Sequence, residues 1–167
     1  FQKPILEELP KKDVTVLEAK NLSIKYLKLS IEDRNQVAEN KDGVFEIKNS
    51  EQFQIAILAE QSKLSKQFSN KKPVLINDFK PSLFRNVMSY TGILGYYNPF
   101  TAEAQYNPEL PATYLPFTLA HESSHQLGFA RENEANFIWF LLGRKSKNID
   151  LKYSTDLFAL KRLLSYI

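Results

Sequence analysis

The chain has two histidines, His121 and His125, which stand four residues apart in the string HESSH. Residues four apart on a helix lie one above the other on the same face, so both imidazoles can reach a single ion. Glu122 follows the first histidine, where its carboxylate can reach a water on that ion without being a main ligand. The spacing therefore predicts a metal site with an acid-base group beside it.

Zinc suits this set of residues, because it accepts imidazole nitrogen and carboxylate oxygen and can lower the pKa of a bound water to about 7. The chain contains no cysteine, so a structural zinc site closed by four protein ligands is poorly supplied. A catalytic site with three protein ligands and an open position fits better. A chance HExxH in a chain of this length is expected in fewer than about one sequence in a hundred at average composition. We therefore expect Zn²⁺ as the cofactor.

The third ligand is expected to be a carboxylate, since Arg131 stands where the metzincin pattern HExxHxxGxxH has its last histidine. Glu132 and Glu134 follow, and residues two apart on a helix are about 200° apart, so only one can face the ion. Glu134 shares its stripe with Ile138 and Leu141, which should be buried, and it is the predicted ligand. The alternative is that both glutamates only favour the first turn of a helix, where the helix dipole attracts negative charge.

The rest of the sequence predicts the elements that must position this site. The helical spacing of apolar residues predicts helices over 13–40 (one helix or two), 49–68, 81–90, 116–128, 131–142 and the last residues up to 167. Extended structure is predicted at 72–76 and, as two pieces joined by a turn, within 91–107. The first helix has an apolar stripe, which consists of Leu17, Ile24, Leu27 and Ile31.

Length and composition predict one globular domain, since 167 residues with 43% hydrophobic content can bury a core. We expect an α+β, zincin-like fold, mostly helical, with a small sheet or hairpin beside the HExxH helix. Residues 1–70 would be a helical support region and residues 73–160 the catalytic region. The 22 basic and 19 acidic residues give a net charge of +3, and this mixed surface does not indicate nucleic acid as a partner.

Several segments resemble known families. HESSH followed by the tripeptide Glu134-Ala135-Asn136 resembles zincin-type peptidases, including ImmA/IrrE-type enzymes in which a Glu-Ala-Asn glutamate is a ligand. A closer resemblance is to an uncharacterised bacterial family of zinc peptidases, domain of unknown function 3810. It covers about residues 73–160 and is carried by the strings GILGYYNPFTAEAQYN, LPFTLAHESSHQLGFARENEANF and KYS.

The resemblance implies a zincin-like domain of a bacterial membrane protein. Its transmembrane helices would precede Phe1, and an extracytoplasmic position is favoured for the domain. No run of 18 apolar residues occurs in the chain itself. The resemblance also implies His121, His125 and Glu134 as the metal ligands and Glu122 as the general base.

These observations predict a zinc-dependent metallopeptidase that acts on a peptide or protein substrate. Tyr97, Tyr106 and Tyr153 are candidate donors for the charge that develops on the substrate oxygen. An extended edge within 93–106 could pair with substrate backbone, by analogy with other zincins, although a buried hairpin fits the same residues. The rival from another class is a non-catalytic or latent domain, in which zinc stabilises a membrane-tethered binding or sensor module.

Overall fold

The computed structural model describes residues 13–64, 79–98, 100–101 and 103–167. These residues form six helices and a three-stranded sheet, so the prediction of a mostly helical α+β fold is confirmed. The strand predicted at 72–76 lies outside the described residues. Within the described ranges, no helix has the length and apolar character needed to cross a membrane.

The bounds of the elements follow the predicted order of helices and extended segments. The helices are α1 (Val16–Arg34), α2 (Ser50–Gln61), α3 (Arg85–Thr91), α4 (Leu115–Gln126), α5 (Glu132–Lys145) and α6 (Ile149–Leu164). The strands are β1 (Lys80–Pro81), β2 (Gly95–Asn98) and β3 (Glu103–Tyr106). Side-chain oxygens cap α1, α2 and α6 by accepting hydrogen bonds from first-turn amides, and these caps are Thr15, Asn49 and Asn148.

Several helix boundaries differ from their predicted positions, and α1 is one helix that ends at Arg34 rather than near residue 40. Helix α2 ends at Gln61 rather than near Phe68, and the Ser62 hydroxyl donates to the Ala59 carbonyl, a local bond that competes with continuing the helix. Helix α3 begins at Arg85 because Pro81 belongs to β1. Strand β1 lies at an edge of the sheet, where proline is tolerated because one side of the strand needs no amide donor.

The sheet has the order β1-β3-β2. Strands β2 and β3 pair antiparallel, with Gly95 opposite Tyr106 and Asn98 opposite Glu103, which confirms the two extended pieces predicted within 91–107. Strand β1 pairs with β3 in parallel. Strand β2 is therefore an edge strand, and it contacts helix α4.

Within the described ranges, the apolar stripe of α1 does not face the other helices and strands, contrary to the simplest reading of an amphipathic helix. Leu17, Ile24 and Ile31 are 68%, 50% and 55% exposed. The buried face has mostly small or polar side chains instead, namely Ala19, Ser23, Tyr26, Ser30 and Asp33. This face packs along α6, where the Lys152 ammonium donates to the Asp33 carboxylate at 2.6 Å. The face of α1 that packs against α6 is therefore the one with small side chains and the Asp33–Lys152 contact, and it is not the apolar stripe.

The main core lies where α2, α4, α5, α6 and β3 meet. Its buried residues are Phe53, Ile57, Phe79, Ala104, Phe117, Leu119, Ala120, Trp139 and Leu151. Burial of the Phe, Ile and Leu side chains among them contributes roughly 1.5–3 kcal/mol each relative to exposure. Helix α4, which carries HESSH, is thus anchored from several sides and is a rigid support for a site.

A buried pair of carboxyl groups lies between α1 and α6. Asp33 is fully buried and Asp156 is 2% exposed. Burial, followed by the hydrogen bond and negative charge of Asp33, raises the pKa of Asp156 from 3.8 to about 6. Asp156 therefore keeps its proton in the folded protein at pH values where the unfolded chain has released it.

The Asp156→Asn variant is expected to be more stable than the natural protein at pH 7 by about 1–3 kcal/mol. Between about pH 4 and pH 6 the unfolded chain releases the Asp156 proton while the folded protein retains it, so the natural protein loses stability as the pH rises. The asparagine amide stays neutral and can still donate to Asp33. Urea unfolding at pH 4 and pH 7 measures the effect, with the exposed Asp13→Asn variant as a control. A gain of equal size at both pH values would contradict the assignment.

Candidate metal centre

Helix α4 presents two different faces because of the residue types in HESSH. Ser123 and Ser124 are fully buried, and their hydroxyls both donate to the Ala120 carbonyl at 2.8 Å. His121 and His125 lie on the other side, partly buried, with side chains that are each 12% exposed. The helix thereby turns both imidazoles toward an open cavity, as the four-residue spacing predicts.

The two imidazoles meet a carboxylate from the next helix. The Nε2 atoms of His121 and His125 are 3.2 Å apart. The Glu132 carboxylate lies 3.2 Å from His121 Nε2 and 3.4 Å from His125 Nε2. Among the described residues, these three form the group of His, Asp and Glu side chains that could hold one metal ion, with ligand atoms within 4.8 Å of one another.

The predicted carboxylate, Glu134, is not a member of this group, and the structure brings Glu132 to the imidazoles instead. Glu134 is 6% exposed and lies on the buried face of α5. Glu134 is predicted from the stripe that it shares with Ile138 and Leu141, whereas Glu132 shares its own stripe with Trp139. In the structure, both stripes contain buried residues, with Ile138 fully buried on one and Trp139 2% exposed on the other.

Glu132 reaches the site because it is the first residue of α5, at the exposed beginning of the helix. A side chain in the first turn can extend beyond the end of the helix. Its position around the helix axis therefore does not determine which residues it contacts. The loop after α4 brings this helix start to the imidazoles, since Gly128 adopts a φ of 100° and Phe129 is 1% exposed. Ala135 is fully buried, and its small side chain allows neighbouring elements to approach α5 closely.

The types of the three side chains and the separation of the two imidazole nitrogens fit a zinc ion. Two ligands about 2.0–2.1 Å from a tetrahedral zinc lie about 3.3–3.4 Å apart. The two imidazole nitrogens are 3.2 Å apart, and Glu132 places Oε2 3.2 Å from His121 Nε2 and Oε1 3.4 Å from His125 Nε2. One ligand atom from each of the three side chains lies within 4.8 Å of the others. Imidazole nitrogen and carboxylate oxygen are ligands that zinc accepts, and three protein ligands leave a fourth position free for water.

Hydrogen bonding orients the His125 imidazole for such a role. His125 Nδ1 lies 2.7 Å from the Phe129 carbonyl oxygen, which can only accept, so we assign the proton to Nδ1. In the neutral ring, Nε2 then carries the lone pair that faces His121 and Glu132. A backbone carbonyl in this position is a common second partner of metal-binding histidines.

The environment of His121 favours its neutral form. Burial, followed by the neighbouring His125, lowers the pKa of His121, while Glu132 and Asn136 act in the opposite direction. Its Nδ1 atom is buried and forms no hydrogen bond of normal geometry within the described residues. The Asn136 side chain lies nearby and accepts a hydrogen bond from the Trp139 indole at 3.1 Å. In the sequence, Asn136 belongs to the Glu-Ala-Asn tripeptide and to the helical stripe of Glu132, and neither pattern predicts a role for it.

Glu122 is 7% exposed and lines the same cavity as the three potential ligands. Burial, followed by the negative charge of Glu132, raises the pKa of Glu122 to about 8. A raised pKa is typical of carboxyl groups that gain and lose protons during catalysis. The predicted base therefore lies beside the predicted metal site without belonging to the ligand group.

The cavity has a volume of about 820 Å³ and opens between α4, the start of α5 and strand β2. Strand β2 contributes Gly95, Tyr96 and Tyr97 to its wall. A side chain at Gly95 could not be accommodated, because a Cβ atom there would lie 2.8 Å from Thr118 Cγ2 and 2.9 Å from Glu122 Cγ. Gly95 thus allows strand β2 to approach helix α4 next to Glu122, the predicted base.

The three tyrosines predicted as possible donors lie in different places. Tyr97 lines the cavity. Tyr106 pairs with Gly95 in the sheet and packs against the main core. Tyr153 is 7% exposed and packs edge-on against Phe45, away from the residues that line the cavity. Of the three, Tyr97 is placed to meet a molecule in the cavity.

Fold and site together define an α+β protein that presents two histidines and a glutamate as a potential metal-ligand group. The chain belongs to the family described as protein of unknown function (DUF3810), which matches it over residues 1–167. The expected resemblance is thus confirmed at the level of the family and extends beyond residues 73–160. No curated protein and no solved structure matches this chain. Membrane association remains a prediction.

Proposed function

We propose that the protein is a zinc-dependent metallopeptidase with a zincin-like active site. The observation that carries the proposal is the convergence of His121, His125 and Glu132 at separations of 3.2–3.4 Å beside the buried Glu122. A zinc ion held there would supply polarisation of a water and of the scissile carbonyl. We assign the three ligand atoms to His121 Nε2, His125 Nε2 and the Glu132 carboxylate.

Glu122 is the proposed general base. Its carboxylate borders the cavity in which the substrate carbonyl would lie, so it can take a proton from the attacking water and return it to the leaving amine. Tyr97, on the cavity wall, is a proposed donor to the developing oxyanion.

The geometry of β2 supports an extended peptide as the substrate. Strand β2 pairs with β3 on one side, and no strand of the described residues occupies its other edge. Three of its four residues line the cavity. A peptide that added to this edge would gain backbone hydrogen bonds and would pass beside Glu122.

Removal of the metal is expected to abolish hydrolysis of a mixed peptide library, and one equivalent of Zn²⁺ should restore it. Elemental analysis of the purified protein should find about one zinc per chain, because the three donors form one site. Zinc should also raise the thermal unfolding midpoint, since it binds the folded state. Full cleavage after removal of every metal would refute the proposed chemistry.

A further inference from the structure

A second cavity, of about 530 Å³, lies between α1, α5 and α6. Its floor consists of the aromatic rings of Tyr26, Trp139, Phe140 and Phe158. These rings pack edge-on, with centroid separations of 5.1 Å for Trp139 and Phe158 and 6.1 Å for Tyr26 and Phe140. The volume is in the range of small-molecule sites, roughly 300–1,000 Å³, and the aromatic floor suits an apolar group.

Two arginines border this aromatic floor. The Arg144 guanidinium lies 5.9 Å from the centre of the Phe140 ring, and the Arg162 guanidinium lies 5.9 Å from the centre of the Phe158 ring. Neither arginine forms an ion pair with another described residue. Arg144 acts electrostatically on the buried Asp156 without reaching it as an ion pair. Two guanidinium groups therefore remain available to an anion at the border of an apolar cavity.

The walls of the cavity distinguish between possible occupants. All three walls are helices, whose backbone amides and carbonyls bond within the helix. An extended peptide would therefore find few backbone partners here, whereas a hydrocarbon chain needs none. A wholly apolar molecule would leave both guanidinium groups unused, and a carboxylate can accept from them in the planar geometry that guanidinium favours.

We propose that this cavity binds a single-chain amphiphile with a carboxylate head, of the fatty-acid type. The hydrocarbon chain lies on the rings of Trp139, Phe140 and Phe158, and the carboxylate accepts hydrogen bonds from Arg144 and Arg162. Asn136 lines both this cavity and the metal cavity, so the two sites share a wall. The proposal does not depend on the peptidase activity.

Trp139 allows a direct test, because it is the one tryptophan of the chain. A terminally brominated dodecanoate should quench its fluorescence saturably, because bromine quenches an indole that it contacts. The corresponding brominated alcohol should bind at least about tenfold more weakly, since it cannot pair with guanidinium. The double variant Arg144→Gln, Arg162→Gln should lose at least about tenfold in affinity for the acid and little for the alcohol.

The exposed Arg85→Gln variant is the matched control, since Arg85 lies on α3 and does not line the cavity. It should bind the acid as the natural protein does. Quenching that does not saturate, equal affinity for acid and alcohol, or an equal loss in the Arg85 variant would overturn the proposal. Displacement of the brominated acid by an acidic apolar peptide at lower concentration would overturn the choice of ligand. Both arginines are exposed, and circular dichroism of the double variant verifies that it is folded.

Discussion

The Glu122→Gln variant is expected to retain zinc and to lose peptide hydrolysis, with kcat/KM reduced by a factor of about 100 to 10,000. The amide has nearly the same shape as the carboxylate but cannot accept a proton from water. Glu122 is outside the ligand group, so metal content should stay near that of the natural protein. Elemental analysis and cleavage of a fluorogenic peptide measure the two effects on the same preparation.

A matched control for this change is Glu46→Gln, because Glu46 is exposed and does not line the metal cavity. Its activity should equal that of the natural protein. Unchanged hydrolysis in Glu122→Gln would exclude Glu122 as the base. The rival function, a zinc-stabilised binding or sensor domain, predicts stoichiometric zinc with no hydrolysis in either protein, and that result would replace the peptidase proposal.

The Glu132→Gln variant is expected to lose zinc affinity by more than about a hundredfold, whereas Glu134→Gln should retain most of it. Mutation of a residue that only supports a ligand costs about 10–100-fold in metal affinity, so loss of a direct ligand should cost more. Glu132 lies 3.2 Å from His121 Nε2, while Glu134 faces the protein interior. Competition with a chromophoric zinc chelator measures both affinities.

These two glutamine variants control for each other, because they stand two residues apart in the same turn and undergo the same chemical change. Glu134→Gln is expected to affect stability rather than zinc, since Glu134 is 6% exposed. A larger loss of zinc from the Glu134 variant would indicate that Glu134, the residue predicted from the sequence, is the third ligand. Equal losses would indicate that neither carboxylate is the third ligand.

Sequence patterns were most informative where they were local. The helix around HESSH was predicted to begin near Pro116 and to end before Gly128, and it spans Leu115–Gln126. The extended pieces within 91–107 were also found. Both features depend on residues close in sequence, since proline restricts the backbone at the start of a helix and glycine accepts a positive φ after its end.

Periodicity was a poor guide to which face of a helix is buried. The Leu17, Ile24 and Ile31 stripe of α1 is exposed, and the buried face carries Ser23 and Asp33. A single helix carries no information about the shape and charge of its neighbour. Here the neighbour is α6, whose Lys152 pairs with Asp33, and that partner is 119 residues away in sequence.

For the candidate site, the sequence by itself determined that two imidazoles and Glu122 would be presented together, because the four-residue spacing fixes their directions on any α-helix. Only the tertiary structure decided that Glu132 rather than Glu134 meets those imidazoles. That choice depends on how the loop at Gly128 and Phe129 sets the start of α5 against α4. The rotation of side chains within a helix is local chemistry, whereas the placement of one helix on another results from the packing of the whole core.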